Sequence, residues 1–208
     1  MRYKNYIWDF DGTLFDTYPH MVDSMVAALK SLGCSAERDE IYHSMKKTVP
    51  ATIQRYSEAY GLDPERVLAE YLKIRRSDPE AEEILYPGAK EILQTIREEG
   101  GRHFIFTHRG FTAKQILHSV GIEDLFVESV TASDGFARKP DPEAILYLMK
   151  KYDLIPEETA MIGDRELDME AGRNAGIAGV LFDPDCYYKE STAAAVVKSM
   201  AQLAEFIK

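Results

Sequence analysis

The chain of 208 residues is 45% hydrophobic and 29% charged, with 35 Asp and Glu against 25 Lys and Arg and a formal net charge of −10. Those proportions exclude wholesale disorder, and the length suits one large domain or a domain carrying a smaller insert. No uninterrupted run of about 18 apolar residues occurs, so no helical membrane span is expected, and the acidic balance opposes broad nucleic-acid binding, which needs a basic surface.

Tyr6 to Phe10 is a short apolar run that ends in acid, the pattern of a buried strand with Asp9 at its C-terminal end. Asp11-Gly12-Thr13 then signals a turn. From about Thr17 to Leu85 the pattern is helical, with no strand candidate. Val22, Met25, Val26, Leu29 and Leu32 repeat at helical spacing, and Gly33 stops that helix. Further helices are expected around Arg38 to Met45, from Pro50 to Tyr60 with Gly61 at the end, and from Pro64 to Arg75.

After Pro87-Gly88 strands and helices alternate. A helix from Ala89 to Glu99 ends at Gly100-Gly101, a strand covers His103 to Thr107, and a helix covers Thr112 to Val120. A strand at Val127 to Thr131 follows, then a helix opened by Asp141-Pro142 and reaching Tyr152. Next come a strand at Thr159 to Gly163, a helix at Asp168 to Ala175 and a strand at Ala178 to Phe182. A short element at Val196-Val197 and a helix from Met200, capped by Ser199, close the chain.

Such alternation predicts an α/β fold, a doubly wound parallel sheet with helices on both faces, whose ligands bind at the carboxyl ends of the strands. The helical block leaves directly after the first strand, so it is expected to form a lid over that end. The expected division is an α/β core of residues 1–16 and 86–208 with an inserted helical cap of residues 17–85. The expected hinges lie near Phe15 to Thr17 and Leu85 to Gly88.

Polar clusters fall where this sheet places strand ends. They are Asp9 and Asp11, then Thr107-His108-Arg109, then Lys139, then Asp164 and Asp168. Like charges about 4 Å apart repel by roughly 4 kcal/mol at an effective dielectric near 20, so several carboxylates around one lysine call for a cation. An all-oxygen donor set suits Mg²⁺. Asp9 is then available as a nucleophile, and Asp11, two residues on, as acid and base.

Asp9-Phe10-Asp11-Gly12-Thr13-Leu14-Phe15-Asp16-Thr17 resembles the first motif of the haloacid dehalogenase-like superfamily. Thr107 fits its second motif, Lys139 its third and Gly163-Asp164-x-x-x-Asp168 its fourth, in order and across nearly the whole chain. The helical insert resembles the small cap of the phosphoglycolate phosphatase-like branch. The resemblance implies that Asp9 attacks phosphorus and becomes an aspartyl phosphate. It implies that Asp11 protonates the leaving oxygen and then takes a proton from water. Thr107 would donate to a phosphoryl oxygen, and Lys139 would pair with the phosphoryl group and Asp9. Metal ligation is implied for Asp9, Asp11 (through its main-chain carbonyl) and Asp164, with Asp168 orienting metal-bound water or Lys139. A carboxylate at Asp11 favours phosphoryl transfer over dehalogenation, since a halide needs no proton.

The second motif departs from the branch, which often has Asn after the Thr or Ser; here His108-Arg109 stands there. His108, Arg109 and, in the cap, Lys47 beside Lys46 are the substrate-binding candidates. The plainer readings are a surface ion pair for Arg109 and likewise for His108, whose backbone N–H is well placed for phosphate in either case, a solvated face for Lys47 and a helix cap for Asp168. The loop Asp183 to Tyr188 matches no usable pattern.

The expected activity is Mg²⁺-dependent hydrolysis of a small phosphate monoester, with phosphoglycolate the leading specific substrate. Sugar phosphates, nucleotides or a phosphoryl-transferring mutase are the alternatives, and a non-catalytic phosphate-binding protein is disfavoured because it has no need of Asp11. The expected partner is a small phosphorylated metabolite, with no nucleic acid and no membrane, and the chain is expected as a monomer or weak homodimer. Cys34 and Cys186 with no Cys-x-x-Cys give neither a disulfide framework nor a zinc ribbon. The first residues run into a segment interrupted by Asp9 and Asp11, unlike a signal peptide, so a cytoplasmic chain is expected.

Overall fold

The computed structural model describes residues 2–78, 81 and 84–208. Six strands form one parallel sheet: β1 (Asn5–Trp8), β2 (Arg102–Phe106), β3 (Phe126–Val130), β4 (Thr159–Gly163), β5 (Ala178–Phe182) and β6 (Ala195–Val197). Their order is β3-β2-β1-β4-β5-β6, with Trp8 opposite both Ile105 and Ile162. The order reverses between β1 and β4, which is where a doubly wound sheet opens a crevice at its carboxyl edge.

The central strands are short and apolar on both faces because both faces are covered. Alternation along β1 sends Tyr6 and Trp8 to one side and Ile7 to the other. On the first side they meet α5 (Ala89–Glu98), α6 (Thr112–Ser119) and α9 (Met200–Ile207), through residues such as Leu93, Leu117 and Leu203. On the second, Ile7, Phe104 and Met161 meet α7 (Glu143–Tyr152) and α8 (Glu166–Asn174), through Ile145, Leu148 and Ala171. This is the expected α/β, doubly wound arrangement.

A buried polar pair sits within the first layer. The Trp8 indole donates to Nδ1 of His103 at 3.0 Å, and Nε2 of His103 lies 2.9 Å from the Leu93 carbonyl. Indole can only donate, so Nδ1 accepts and Nε2 carries the proton. Burial pushes the imidazole down to about 4, and the neutral ring satisfies both partners.

Residues 16–84 form a second compact unit, and residues 1–15 with 85–208 form the first. The junction is defined by backbone pairing. Phe15 bridges Leu85, Tyr86 N–H donates to Leu14 within the α/β unit, and Asp16 N–H donates to Ile84 within the helical one. The helical unit holds α1 (Tyr18–Ser31), α2 (Arg38–Lys47), α3 (Val49–Tyr60) and α4 (Pro64–Arg75). Met25, Leu29, Ile41, Ile53, Val67 and Tyr71 belong to its buried core. Positions 79, 80, 82 and 83 of the expected helical stretch lie outside the described residues.

Helix starts differ from the sequence expectation for local reasons. α1 begins at Tyr18, ahead of its apolar repeat, because Pro19 suits a first turn. α3 begins one residue before Pro50 because the Thr48 hydroxyl caps Ala51 N–H. α8 begins at Glu166, not Asp168. Asp168 closes the start from inside the helix, its Oδ2 accepting Arg165 N–H at 3.0 Å. No helix among the described residues is long and apolar enough to cross a membrane.

Candidate active site

The residues just past the strand ends stay in the ladder. Asp9 N–H donates to Ile162 at 2.8 Å, and Thr107 N–H donates to Val130 at 3.0 Å. The side chains of Asp9 and Thr107 are therefore fixed at the crevice and buried. The Thr107 hydroxyl oxygen accepts Arg109 N–H at 3.1 Å, which directs its own O–H hydrogen elsewhere.

Lys139 is buried with its ammonium 2.8 Å from Asp9 Oδ1 and 2.6 Å from Asp168 Oδ1. Asp168 thus serves two partners, the Lys139 ammonium and the Arg165 N–H. Gly163 makes room for it: a Cβ there would lie 2.4 Å from Asp168 Cβ and Cγ. The fourth motif needs glycine for this close approach, not for a left-handed backbone.

Asp9, Asp164 and Asp168 place one carboxylate oxygen each within 4.8 Å of one another, and all three are buried. Asp9 Oδ2 accepts no hydrogen bond among the described residues; Arg165 Nη2 stands 3.7 Å away. Burial first, and then the charges of Asp168 and Asp164, push the Asp9 carboxyl up to about 7 against the opposing pull of Lys139 and Arg165. A buried acceptor without a donor, inside a set of hard oxygens, is the environment a divalent cation satisfies. The residues present therefore fit a metal ion.

Asp11 stands apart from that cluster. A tight turn carries it, with Gly12 at φ 77° and Gly12 N–H bonded to Phe15. Its carboxylate is gripped by Arg109, through Nε to Oδ2 at 3.2 Å and Nη2 to Oδ1. The ligand expected of Asp11 is its main-chain carbonyl, and its carboxylate is engaged by a guanidinium. Asp11 is thus one partner of Arg109, and it lies at the strand-end crevice.

The side chain of His108 has a partner within the site. Its Nε2 accepts Lys139 N–H at 2.8 Å, which ties the second motif to the third. Burial and the nearby Lys139, Arg138 and Arg165 depress the imidazole to about 3, so the ring remains the neutral acceptor this bond requires. Lys47 is the exposed last residue of α2, in the helical unit, whereas every residue of the strand-end cluster belongs to the α/β unit. Its neighbour Lys46 is buried with its ammonium 4.4 Å from the Tyr18 ring centroid.

Two features escaped the sequence reading. Arg165 faces both Asp9 and Asp164, the latter at 3.9 Å; its place between two motif aspartates was the available signal. The loop after β5 is also tied to the fourth motif. Asp183 accepts the N–H groups of Tyr187 and Tyr188 at 2.9 and 3.0 Å, and Glu166 Oε2 accepts the Thr192 hydroxyl at 3.0 Å. The Tyr188 phenol is pushed up by burial and by the field of Asp164.

Acids, a lysine and a threonine thus converge at the switch point of a doubly wound sheet. Residues 6–182 match the model of the haloacid dehalogenase-like hydrolases, and the chain belongs to that family. It is 30% identical over 184 residues to a phosphoglycolate phosphatase of Cereibacter sphaeroides, covering 85% of this chain and 83% of the relative. It is 27% identical over 217 residues to pyrophosphatase PpaX of Halalkalibacterium halodurans, covering 100% and 98%. The fold is similar to a crystal structure from Haemophilus somnus 129PT, described as a predicted phosphoglycolate phosphatase. That match has TM-score 0.84 and 21% identity, and covers 100% of this chain and 99% of the other. The phosphatase class expected from the four motifs is that of these relatives.

Proposed function

We propose that the chain hydrolyses a small phosphate monoester through an aspartyl phosphate on Asp9, with Mg²⁺ as cofactor. The observation that carries this reading is Asp9 itself, buried at the switch point with one oxygen on Lys139 and the other without a hydrogen-bond donor among the described residues. Asp9 attacks phosphorus, the ester C–O–P bond breaks at P–O, and Asp11 gives its proton to the departing alkoxide. Asp11 then removes a proton from water, which attacks the same phosphorus and frees Asp9 and inorganic phosphate. Thr107 donates its O–H to a phosphoryl oxygen. Lys139 neutralises Asp9 in the resting state and the transferred group later. Asp9 and Asp164, with the main-chain carbonyl of Asp11, would hold the metal, which supplies Lewis-acid stabilisation of phosphoryl charge. Asp168 positions Lys139, and His108 holds the Lys139 backbone.

Phosphoglycolate is the leading specific substrate, supported by the motif resemblance and by the name of the Cereibacter relative. The test is phosphate release from a panel of small phosphate esters, with Mg²⁺ and with chelator, for wild type and Asp9→Asn. Metal-dependent release that the variant loses is expected. Release that survives Asp9→Asn would remove the aspartyl phosphate, and a folded wild type that releases nothing from any ester would remove the hydrolase reading.

A further inference from the structure

We propose that Arg109 is the receptor for a second anionic group on the substrate, so that the favoured substrates are small phosphate monoesters with another anion a few bonds from the ester oxygen. The inference rests on the phosphatase reading, within which Asp11 reaches the ester oxygen.

Arg109 has a side chain nine-tenths buried, a main chain bonded at both its N–H and its carbonyl, and an aromatic ring beside its guanidinium. Its N–H donates to the Thr107 hydroxyl at 3.1 Å, its carbonyl accepts Ala132 N–H at 2.9 Å, and its Cζ lies 5.0 Å from the centroid of the Phe10 ring. That ring stacks on Phe15 at 4.2 Å. The guanidinium is thus presented as a packed planar fork, the geometry that carboxylates and phosphates bind bidentately. In this structure the fork holds the carboxylate of Asp11.

Asp11 must touch the leaving oxygen to protonate it. A guanidinium on the same carboxylate therefore lies beside the leaving group, not beside the transferred phosphoryl. The other cations of the site are paired with other acids: Lys139 is on Asp9 and Asp168, and Arg165 is turned toward Asp9 and Asp164. In a chain of net charge −10, an anionic leaving group would be repelled unless a placed cation met it, and Arg109 is so placed. A second anion on the substrate competes with Asp11 for the fork. When the substrate wins, the carboxyl of Asp11 is released to turn to the ester oxygen. Neutral esters leave Asp11 in the grip of Arg109 and are poor substrates.

The competing explanation is that Arg109 only braces the turn after β1. Two esters of equal length separate the two: 2-phosphoglycolate, with a carboxylate, and 2-hydroxyethyl phosphate, without one. Phosphate release is measured for wild type, Arg109→Gln and Arg109→Lys. Wild type is expected to favour the carboxylate ester in kcat/KM by about 10- to 100-fold, the range of one charge-assisted contact. In Arg109→Gln that ratio falls close to one, chiefly through KM for the carboxylate ester, and Arg109→Lys retains part of it. A wild type without the preference overturns the proposal, and so does a ratio unchanged in Arg109→Gln. Loss of activity toward both esters in equal proportion identifies a brace and also overturns it. Calorimetry with 3-phosphonopropionate and propylphosphonate gives a second reading that needs no turnover. The same Kd preference, lost in Arg109→Gln, is expected even if no ester is hydrolysed, an outcome that would sink the phosphatase reading alone. Equal Kd values for the two phosphonates in wild type overturn the role of Arg109. If Arg109→Gln does not fold, the wild-type ratio and Arg109→Lys decide.

Discussion

Asp9 and Lys139 are 130 residues apart in the chain and 2.8 Å apart in the fold, both buried. The pair exists only because β1 and the loop after β3 meet at one edge of the sheet. Breaking a buried pair by removing one partner leaves an uncompensated charge and costs about 3–5 kcal/mol. Lys139 has two such partners, so Lys139→Met should reach the upper part of that range and remove phosphatase activity. Urea unfolding at pH 8, above the Asp9 carboxyl at about 7, measures it. A loss below about 1 kcal/mol would mean that water already solvates the pair.

Asp9 should link stability to both pH and metal. Its carboxyl is raised from its ordinary 3.8 to about 7. The unfolded chain therefore ionises it first, and the folded protein binds the extra proton between those values. Stability contributed through Asp9 is present below about 4 and is lost as pH rises through about 7. In chelator at pH 8, Asp9→Asn should be more stable than wild type, because the penalty of an ionised buried group is gone. Mg²⁺ should reverse that order, since ligand at 100 times its Kd adds about 2.7 kcal/mol to the state that binds it. Calorimetric Tm values for both proteins, with and without Mg²⁺, give the four numbers. An Asp9→Asn protein that gains as much as wild type from Mg²⁺ would exclude Asp9 as a ligand.

Gly163→Ala isolates packing from chemistry. The new methyl would lie 2.4 Å from Asp168, whose carboxylate holds Lys139 and the Arg165 backbone. Overpacking of this kind costs about 1–3 kcal/mol. Because the displaced group positions Lys139, kcat should fall more steeply than stability alone explains. Activity measured well below the Tm of the variant checks this; unchanged kcat there would show that Asp168 is free to move.

The α/β frame was readable because strand-helix alternation and the four motifs are local signals. Asp9, Thr107, Lys139 and Asp164 each sit where a short apolar strand stops. What the sequence did not disclose depends on pairs with no local signature. Arg109 meets Asp11 across 98 residues, and no spacing rule links them. His108 is a bracing acceptor because its Nε2 meets the Lys139 N–H, a contact set by the path of one loop. The loop from Asp183 to Thr192 closes on the Asp183 carboxylate through two backbone N–H groups and on Glu166 through a hydroxyl, which composition does not mark. Lys46 and Lys47 look alike in sequence, yet one is buried and the other exposed, because adjacent helical positions point about 100° apart.

His103 should titrate stability in the sense opposite to Asp9. Its imidazole is lowered from 6.5 to about 4 by burial. The unfolded chain then binds the extra proton between those values, so the stabilisation is complete above about 6.5 and is lost as pH falls toward 4. The shift is worth about 3 kcal/mol. Protonation would set an Nδ1–H against the Trp8 indole N–H, two donors 3.0 Å apart. His103→Leu removes the titration but strands the indole, which costs about 1–3 kcal/mol. At pH 8 the variant should be the less stable protein by that amount. As pH falls to about 4.5 the wild type alone weakens through this site, so the gap should narrow or close. The slopes of Asp9 are shared by both proteins and cancel in the difference. Urea unfolding of the two at several pH values between 4.5 and 8 measures it, and a gap that does not change with pH would show that His103 is protonated equally in both states.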